Sequence, residues 1–250
     1  MVYWERMKYL LLADIHANLE AFEAVLEHAR RQGGFDEVWC LGDVVGYGPD
    51  PRECVRRLRA LPHQAVAGNH DLVAIRKLSV DEFNPEAAEA ALWTASQLSP
   101  PEVEYLASLP ERLELEDTVL VHGSPREPVW EYVTTESHAL ANFPAFEGRL
   151  CLVGHSHVPL VFSYAAHTGR RWGSLMPPEL KLEAGVRYIV NPGGVGQPRD
   201  GDPAASYAIY DSQAATIYHY RVPYRIAATQ AKMLQAGLPR SLIARLSYGR

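Results

Sequence analysis

Short apolar runs recur along this 250-residue chain, and each is followed at once by a polar cluster. Residues 9–13, 38–41, 65–67, 119–121 and 150–153 are apolar stretches of three to five residues. They are too short for helices and several are β-branched, so they read as buried strands. Between the first two, Leu19, Phe22, Val25, Leu26 and Ala29 fall on one face of a predicted helix over about 19–32, which stops at Gly33-Gly34. A Gly/Pro loop (42–51) leads into a second helix ending near Ala60. This β-α-β-α-β order predicts parallel pairing with right-handed crossovers.

From 72 to about 109 the chain is rich in Ala, Glu and Leu and is broken at Asn84-Pro85 and Ser99-Pro100-Pro101, which predicts two or three helices forming a cap. A hairpin over 111–116 and 118–121 follows, then an irregular, partly helical stretch over 125–148. Further strands are predicted at 160–163, 180–183, 187–190, 206–210 and 216–221. Residues 224–250 read as a helix pair broken at Gly237-Leu238-Pro239. Apolar stripes there, including Met233, Leu234, Leu242 and Leu246, must pack on the parent sheet or on another subunit, which leaves a homo-oligomer open. With no repeat or linker in view, the expectation is one α/β domain over 1–250, with a helical insertion at about 72–118 and the C-terminal helix pair.

The polar clusters behind the strands carry the chemistry. They are Asp14-Ile15-His16, Gly42-Asp43-Val44-Val45-Gly46, Gly68-Asn69-His70-Asp71, His122-Gly123-Ser124-Pro125 and Gly154-His155-Ser156-His157, with Asn191-Pro192-Gly193-Gly194 as a sixth. Taken singly, Asp14, Asp43 and Asn69 would be helix caps or turn residues. Repetition at successive strand ends instead suggests convergence, because open α/β sheets place their ligand sites there. All the donors are N or O, which suits borderline divalent ions rather than a soft copper site. His28, His63, His138, His167 and His219 match no motif. Asn18 is placed to cap the helix that begins at Leu19.

Composition narrows the options. A hydrophobic fraction of 47% suits a full core, and a formal net charge of −6 with no long basic run disfavours nucleic acid as the partner. No stretch is long enough to span a membrane, and Arg6 and Lys8 precede too short an apolar run for a secretory signal, so the expectation is cytoplasmic. Cys40, Cys54 and Cys151 form no metal or disulfide spacing and read as small core residues. No dinucleotide or P-loop glycine pattern opens a helix.

The ordered set D-x-H, G-D-x-x-G, G-N-H-D, H-G-S-P and G-H-S-H resembles the calcineurin-like metallophosphoesterase family. Within it, the chain resembles the small prokaryotic phosphoesterases and phosphodiesterases. The match runs from Asp14 to His157, and the stretch from Asn191 to Gly201 extends it. The resemblance implies a four-layer α/β/β/α sandwich of two mixed sheets, with two divalent transition-metal ions at the strand ends. Mn²⁺ is favoured; Fe, Zn²⁺, Ni²⁺ and Co²⁺ remain open. It also implies that Asp14, His16 and His157 bind one ion, that Asn69, His122 and His155 bind the other, and that Asp43 bridges them. Two carboxylates against two divalent ions leave a positive centre that attracts a small phosphate-ester substrate. A metal-bridging hydroxide would attack phosphorus while His70, hydrogen-bonded and raised in pKa by Asp71, protonates the leaving group. Tyr47, Arg126 and Arg199 are candidates for substrate contact. The family's usual N-P-G-S has Gly194 in place of Ser, which removes a local hydroxyl from that loop. A phosphodiesterase is the first expectation; a phosphomonoesterase, a nucleotide pyrophosphohydrolase and a non-catalytic scaffold of the same fold are the alternatives.

Overall fold

In the computed structural model, which describes residues 7–250, the apolar runs pair into two six-stranded mixed sheets. Arg6 lies outside the described residues. The first sheet runs, edge to edge, β3 (His63–Ala65), β2 (Glu37–Cys40), β1 (Lys8–Leu12), β11 (Ala205–Asp211), β12 (Thr216–Val222) and β9 (Glu179–Lys181). The second runs β4 (Arg112–Leu115), β5 (Thr118–Val121), β6 (Leu150–Leu152), β10 (Arg187–Pro192), β7 (Pro159–Ala165) and β8 (Arg170–Leu175). The strands that precede polar clusters are the parallel ones: β1–β2–β3 in one sheet and β5–β6–β10 in the other.

Alternation along the strands explains the layering. In β1, Leu10 and Leu12 face a core shared with helices α1 (Leu19–Arg31), α2 (Pro51–Arg59) and α5 (Pro100–Ser108). Leu11 and the following Ala13 instead enter a core between the sheets, where they meet Leu120, Leu150, Leu152 and Val190 of the second sheet. The far face of the second sheet packs Val121, Cys151 and Ile189 against Ala139 of α6 (Glu136–Asn142) and the adjacent Phe143. Both faces of each sheet are therefore covered, which is why β1, β2, β5, β6 and β10 carry continuous apolar runs rather than alternating ones. The result is the four-layer α/β/β/α sandwich that the resemblance implies. All three cysteines are buried and unpaired.

The cap region contains α3 (Asn69–Ala74), α4 (Pro85–Gln97) and α5, with breaks at the predicted Asn-Pro and Ser-Pro-Pro positions. The C-terminal helices α7 (Ile226–Gln235) and α8 (Arg240–Arg245) pack on their own chain. Met233, Leu238, Leu242 and Leu246 form a cluster with Ala87 and Ala90 of α4 and with Tyr47. Polar ties reinforce this: Thr229 Oγ1 donates to Asn18 Oδ1 (3.1 Å), and Lys232 Nζ reaches Glu20 (2.7 Å) and Asp50 (2.9 Å). β8 has no counterpart among the predicted strands. It is an edge strand of sequence Arg-Arg-Trp-Gly-Ser-Leu with no fully buried residue, so it lacks the apolar signal that marked the others. No described helix is long and apolar enough to cross a membrane.

Candidate metal centre

Three of the polar clusters turn sharply as they leave their strands, and the turn is made by unusual residues. Asp14, His16, Asp43, His155 and His157 all adopt positive φ, between 48° and 64°. A non-glycine residue there costs about 1–2 kcal/mol, and such strain collects at functional sites. Neighbouring backbone fixes these turns: His16 N donates to Asp43 O (2.9 Å), Asp14 N to Gly42 O (3.2 Å) and Gly154 N to His122 O (2.8 Å). Gly68 allows a close approach, since a Cβ there would collide with Asp43 Oδ1. Asn18 Oδ1 accepts from Ala21 N (3.1 Å) and so caps α1, while its Nδ2 donates to Gly196 O (2.8 Å).

The seven side chains implied as ligands meet at one buried point, each 5% exposed or less. Asp14, His16 and His157 can present donor atoms within 4.8 Å of one another, and so can Asp43, His122 and His155. Asn69 Oδ1 lies 3.0 Å from His122 Nε2. Asp43 Oδ2 stands between the groups, 3.3 Å from His122 Nε2 and 3.6 Å from His16 Nε2.

The histidine tautomers show what this arrangement suits. Each ring gives one N–H to a main-chain carbonyl: His16 Nδ1 to Val45 (3.2 Å), His122 Nδ1 to Leu41 (2.8 Å), His157 Nδ1 to Gln197 (2.6 Å) and His155 Nε2 to Trp130 (3.1 Å). A carbonyl only accepts, so in a neutral ring the other nitrogen carries a lone pair, and here it points inward. His16 Nε2 and His157 Nε2 then face each other at 3.1 Å, and so do His122 Nε2 and His155 Nδ1. Asp14 Oδ2 is buried without any hydrogen-bond partner. Facing lone pairs beside an unpartnered carboxylate oxygen repel unless a cation sits among them, so the donor set fits two divalent ions.

Electrostatics agree for three of the four rings. Burial pushes Asp14 up to about 7; the like charge of Asp43 adds to this while His122 opposes it. Burial would also raise Asp43, but His122, His70 and His16 outweigh it and hold that carboxyl well below the usual range. Burial pulls His16 and His157 far down and His155 to about 3, which keeps these rings neutral as ligation requires. His122 is the exception: Asp43 overcomes burial and lifts it to about 9.

Around this centre is a cleft of about 280 Å³ lined by His70, Tyr47 and Arg199 among the expected residues. Two expectations need correction. Asp71 does not reach His70. Its carboxylate accepts from Val45 N (3.0 Å) and Gly68 N (3.0 Å), so it ties two motif loops together. His70 Nδ1 is buried without a partner, and burial lowers its pKa to about 4 rather than raising it. Arg126 is not in the cleft; its guanidinium pairs with Glu131, which it holds down to about 2. The Gly194 substitution leaves its loop ordered by other means. Gly193 N donates to Asn191 Oδ1 (2.8 Å) and Ser206 Oγ to Pro192 O (2.7 Å), while Gly194 itself faces His157.

The cleft also holds residues that no motif announced. Phe83 from the cap packs on His70 with ring centroids 4.4 Å apart, and Tyr132 stacks on His155 at 3.9 Å. Trp130 and Arg245 complete the rim. Arg245 comes from α8, so the C-terminal pair is part of the cleft wall as well as a structural support.

Residues 7–215 match the family model described as a calcineurin-like phosphoesterase superfamily domain. An uncharacterized protein of Methanocaldococcus jannaschii is 39% identical over 248 residues, covering 96% of this chain and 97% of its own length. A symmetrical bis(5'-nucleosyl)-tetraphosphatase of Glaesserella parasuis is 28% identical over 134 residues, 52% of this chain and 48% of that protein. Among solved structures, a metallophosphoesterase from Sphaerobacter thermophilus superposes with a TM-score of 0.88 at 49% identity, over 98% of this chain and 100% of that one. A hypothetical protein from Pyrococcus horikoshii OT3 superposes with a TM-score of 0.78 at 22% identity, over 97% and 98%, and shows the shared fold alone.

Proposed function

Because this chain belongs to the calcineurin-like phosphoesterase superfamily, we propose that it is a binuclear metal-dependent phosphoesterase, first of all a phosphodiesterase, acting on a small phosphate ester. The observation that carries this is the inward set of imidazole lone pairs, each fixed by a main-chain carbonyl behind its ring. Asp14, His16 and His157 would hold one ion, Asn69, His122 and His155 the other, and Asp43 would touch both. When bound, such ions withdraw charge from phosphoryl oxygens and make water more acidic.

The remaining work falls to the chain. His70 lines the cleft beside Asp43, and its backbone N–H donates to Asp43 Oδ1 (2.9 Å), which fixes where its ring stands. It would give a proton to the leaving oxygen, with Asp43 rather than Asp71 as the carboxylate that favours its protonated form. Arg199 and Tyr47 would orient the substrate's remaining oxygens. The aromatic rim would shield the reacting phosphate from bulk water.

A nucleotide pyrophosphohydrolase is the second reading, favoured by the partial likeness to a bis(5'-nucleosyl)-tetraphosphatase. A non-catalytic scaffold is disfavoured because all seven ligand positions and His70 are present and converge. The test is metal analysis of the purified protein together with hydrolysis of a bis-aryl phosphate. About two transition-metal ions per chain are expected, with activity lost after chelation and regained on adding Mn²⁺. Full activity in the stripped protein would refute the proposal.

A further inference from the structure

The cleft holds two guanidinium groups that, among the described residues, no acidic side chain pairs with. Arg199 donates to Gln197 Oε1 (2.9 Å) and reaches Tyr47 Oη at 3.5 Å, and its Nε is buried without a partner. Arg245 uses its Nε on the main-chain oxygen of Arg250, five residues on. Both line the same cleft as Asp43 and His70. Sharing that cleft, the two groups act on each other: burial and the charge of Arg199 both lower the pKa of Arg245 from its ordinary value. Asp43 and Glu82 line the cleft with them, Asp14 lies within electrostatic reach of Arg199 and Glu86 within that of Arg245, and none of these four forms an ion pair with either arginine. Two like charges held together and partly dehydrated are unfavourable until an anion joins them. Each guanidinium is a planar fork that matches a phosphate's oxygens.

We propose that Arg199 and Arg245 form a seat for a second phosphate group, adjacent to the one held at the metal-ligand cluster. The substrate would then carry a phosphoanhydride, as a nucleoside di- or polyphosphate does, rather than a single esterified phosphate. This rests on the phosphoesterase reading above. It also gives the C-terminal helix pair a direct part in substrate choice, through a residue more than 85 positions beyond the last ligand motif.

The test is calorimetric titration of the metal-loaded protein with adenosine monophosphate and with α,β-methylene adenosine diphosphate, which cannot be hydrolysed at its phosphonate bridge. The wild-type protein should bind the diphosphate analogue roughly 10- to 100-fold more tightly, the range for hydrogen bonds to a charged group. In Arg245→Gln that ratio should fall to near one while the monophosphate still binds, which also shows that the variant is folded. Equal affinities in the wild-type protein, or a ratio that survives in Arg245→Gln, would overturn the seat. The wild-type ratio needs no variant and decides the point even if Arg245→Gln proves unstable. A wild-type protein that prefers the analogue yet hydrolyses no phosphate ester with metal present would sink the phosphoesterase reading and leave the seat standing.

Discussion

Leu242→Ala and Leu234→Ala test how the C-terminal helices are seated. Leu242 on α8 is 2% exposed and packs with Met233, Leu238 and Leu246 against α4 and Tyr47, whereas Leu234 on α7 is 62% exposed. Truncating a buried leucine costs about 2–5 kcal/mol, and more where the surroundings cannot collapse into the space. α8 is only six residues long and exposed on its outer side, so it can shift inward. The cost should therefore sit near the low end, about 2–3 kcal/mol. In a domain of this size about 1 kcal/mol moves Tm by about 2–4 °C, so Leu242→Ala should melt roughly 5–10 °C lower. Leu234→Ala removes mostly exposed atoms and should stay within about 0.5 kcal/mol of the parent. Thermal melts of both metal-loaded variants, followed by circular dichroism, make the comparison. Equal shifts, or a larger one at Leu234, would mean that the outward face of α7 is covered in solution and that the packing described here is wrong.

Other outcomes follow from the centre and its supports. Asp43→Asn should lower the content of both metals and abolish turnover, since one carboxylate faces both groups of donors; plasma emission analysis that found one ion lost and the other fully retained would contradict this. His70→Ala should slow esters with poor leaving groups by about 10²–10⁴-fold, and aryl esters far less, at unchanged metal content. Equal losses on the two substrates, measured side by side, would remove it from the role of proton donor. Asp71→Ala should act on stability, about 1–3 kcal/mol, because Val45 N and Gly68 N lose their acceptor. A change in the pH profile without any change in the melt would contradict that. Glu131 is held at about 2 in the fold, below its ordinary value of 4.5. Its contribution is present above about pH 4.5 and disappears as pH falls toward 2. After allowance for solvent screening it is about 1 kcal/mol. Glu131→Gln should flatten that part of a stability-versus-pH curve.

The parallel strands and the polar side chains that converge behind them were readable because one physical arrangement repeats. A buried apolar strand followed at once by Asp, His or Asn stands out against the residues around it. The Asn18 cap and the breaks before Pro85 and Pro100 were equally local and equally visible. Contacts made across the fold were hidden. Asp71 sits next to His70 in sequence, yet its carboxylate turns to the backbone of Val45 and Gly68, a choice made by how two loops meet. Arg245 carries no motif and reaches the cleft only because α8 packs against α4 and Tyr47. β8 lies at an edge where solvent, not packing, selects the side chains. Trp130 and Tyr132 fall in a loop whose course depends on His155, 25 residues away along the chain from Trp130.

The donors are divided between the two sheets: Asp14, His16, Asp43 and Asn69 follow strands of the first, and His122, His155 and His157 follow strands of the second. Among the described residues no strand pairs across that boundary; at this end the sheets are tied by the apolar seam, by a few hydrogen bonds such as Val195 N to Ala13 O and Gly196 N to Asp14 O, and by the ligand set between them. Two metal ions seated there would add a clasp. A slip of one sheet past the other by a single residue, about 3.3 Å, would pull the two halves of the coordination sphere out of reach. Amide hydrogen exchange should therefore slow at the ends of β1 and β6 together when metal is added. Sandwich alignment and metal occupancy then become two readings of one mechanical state.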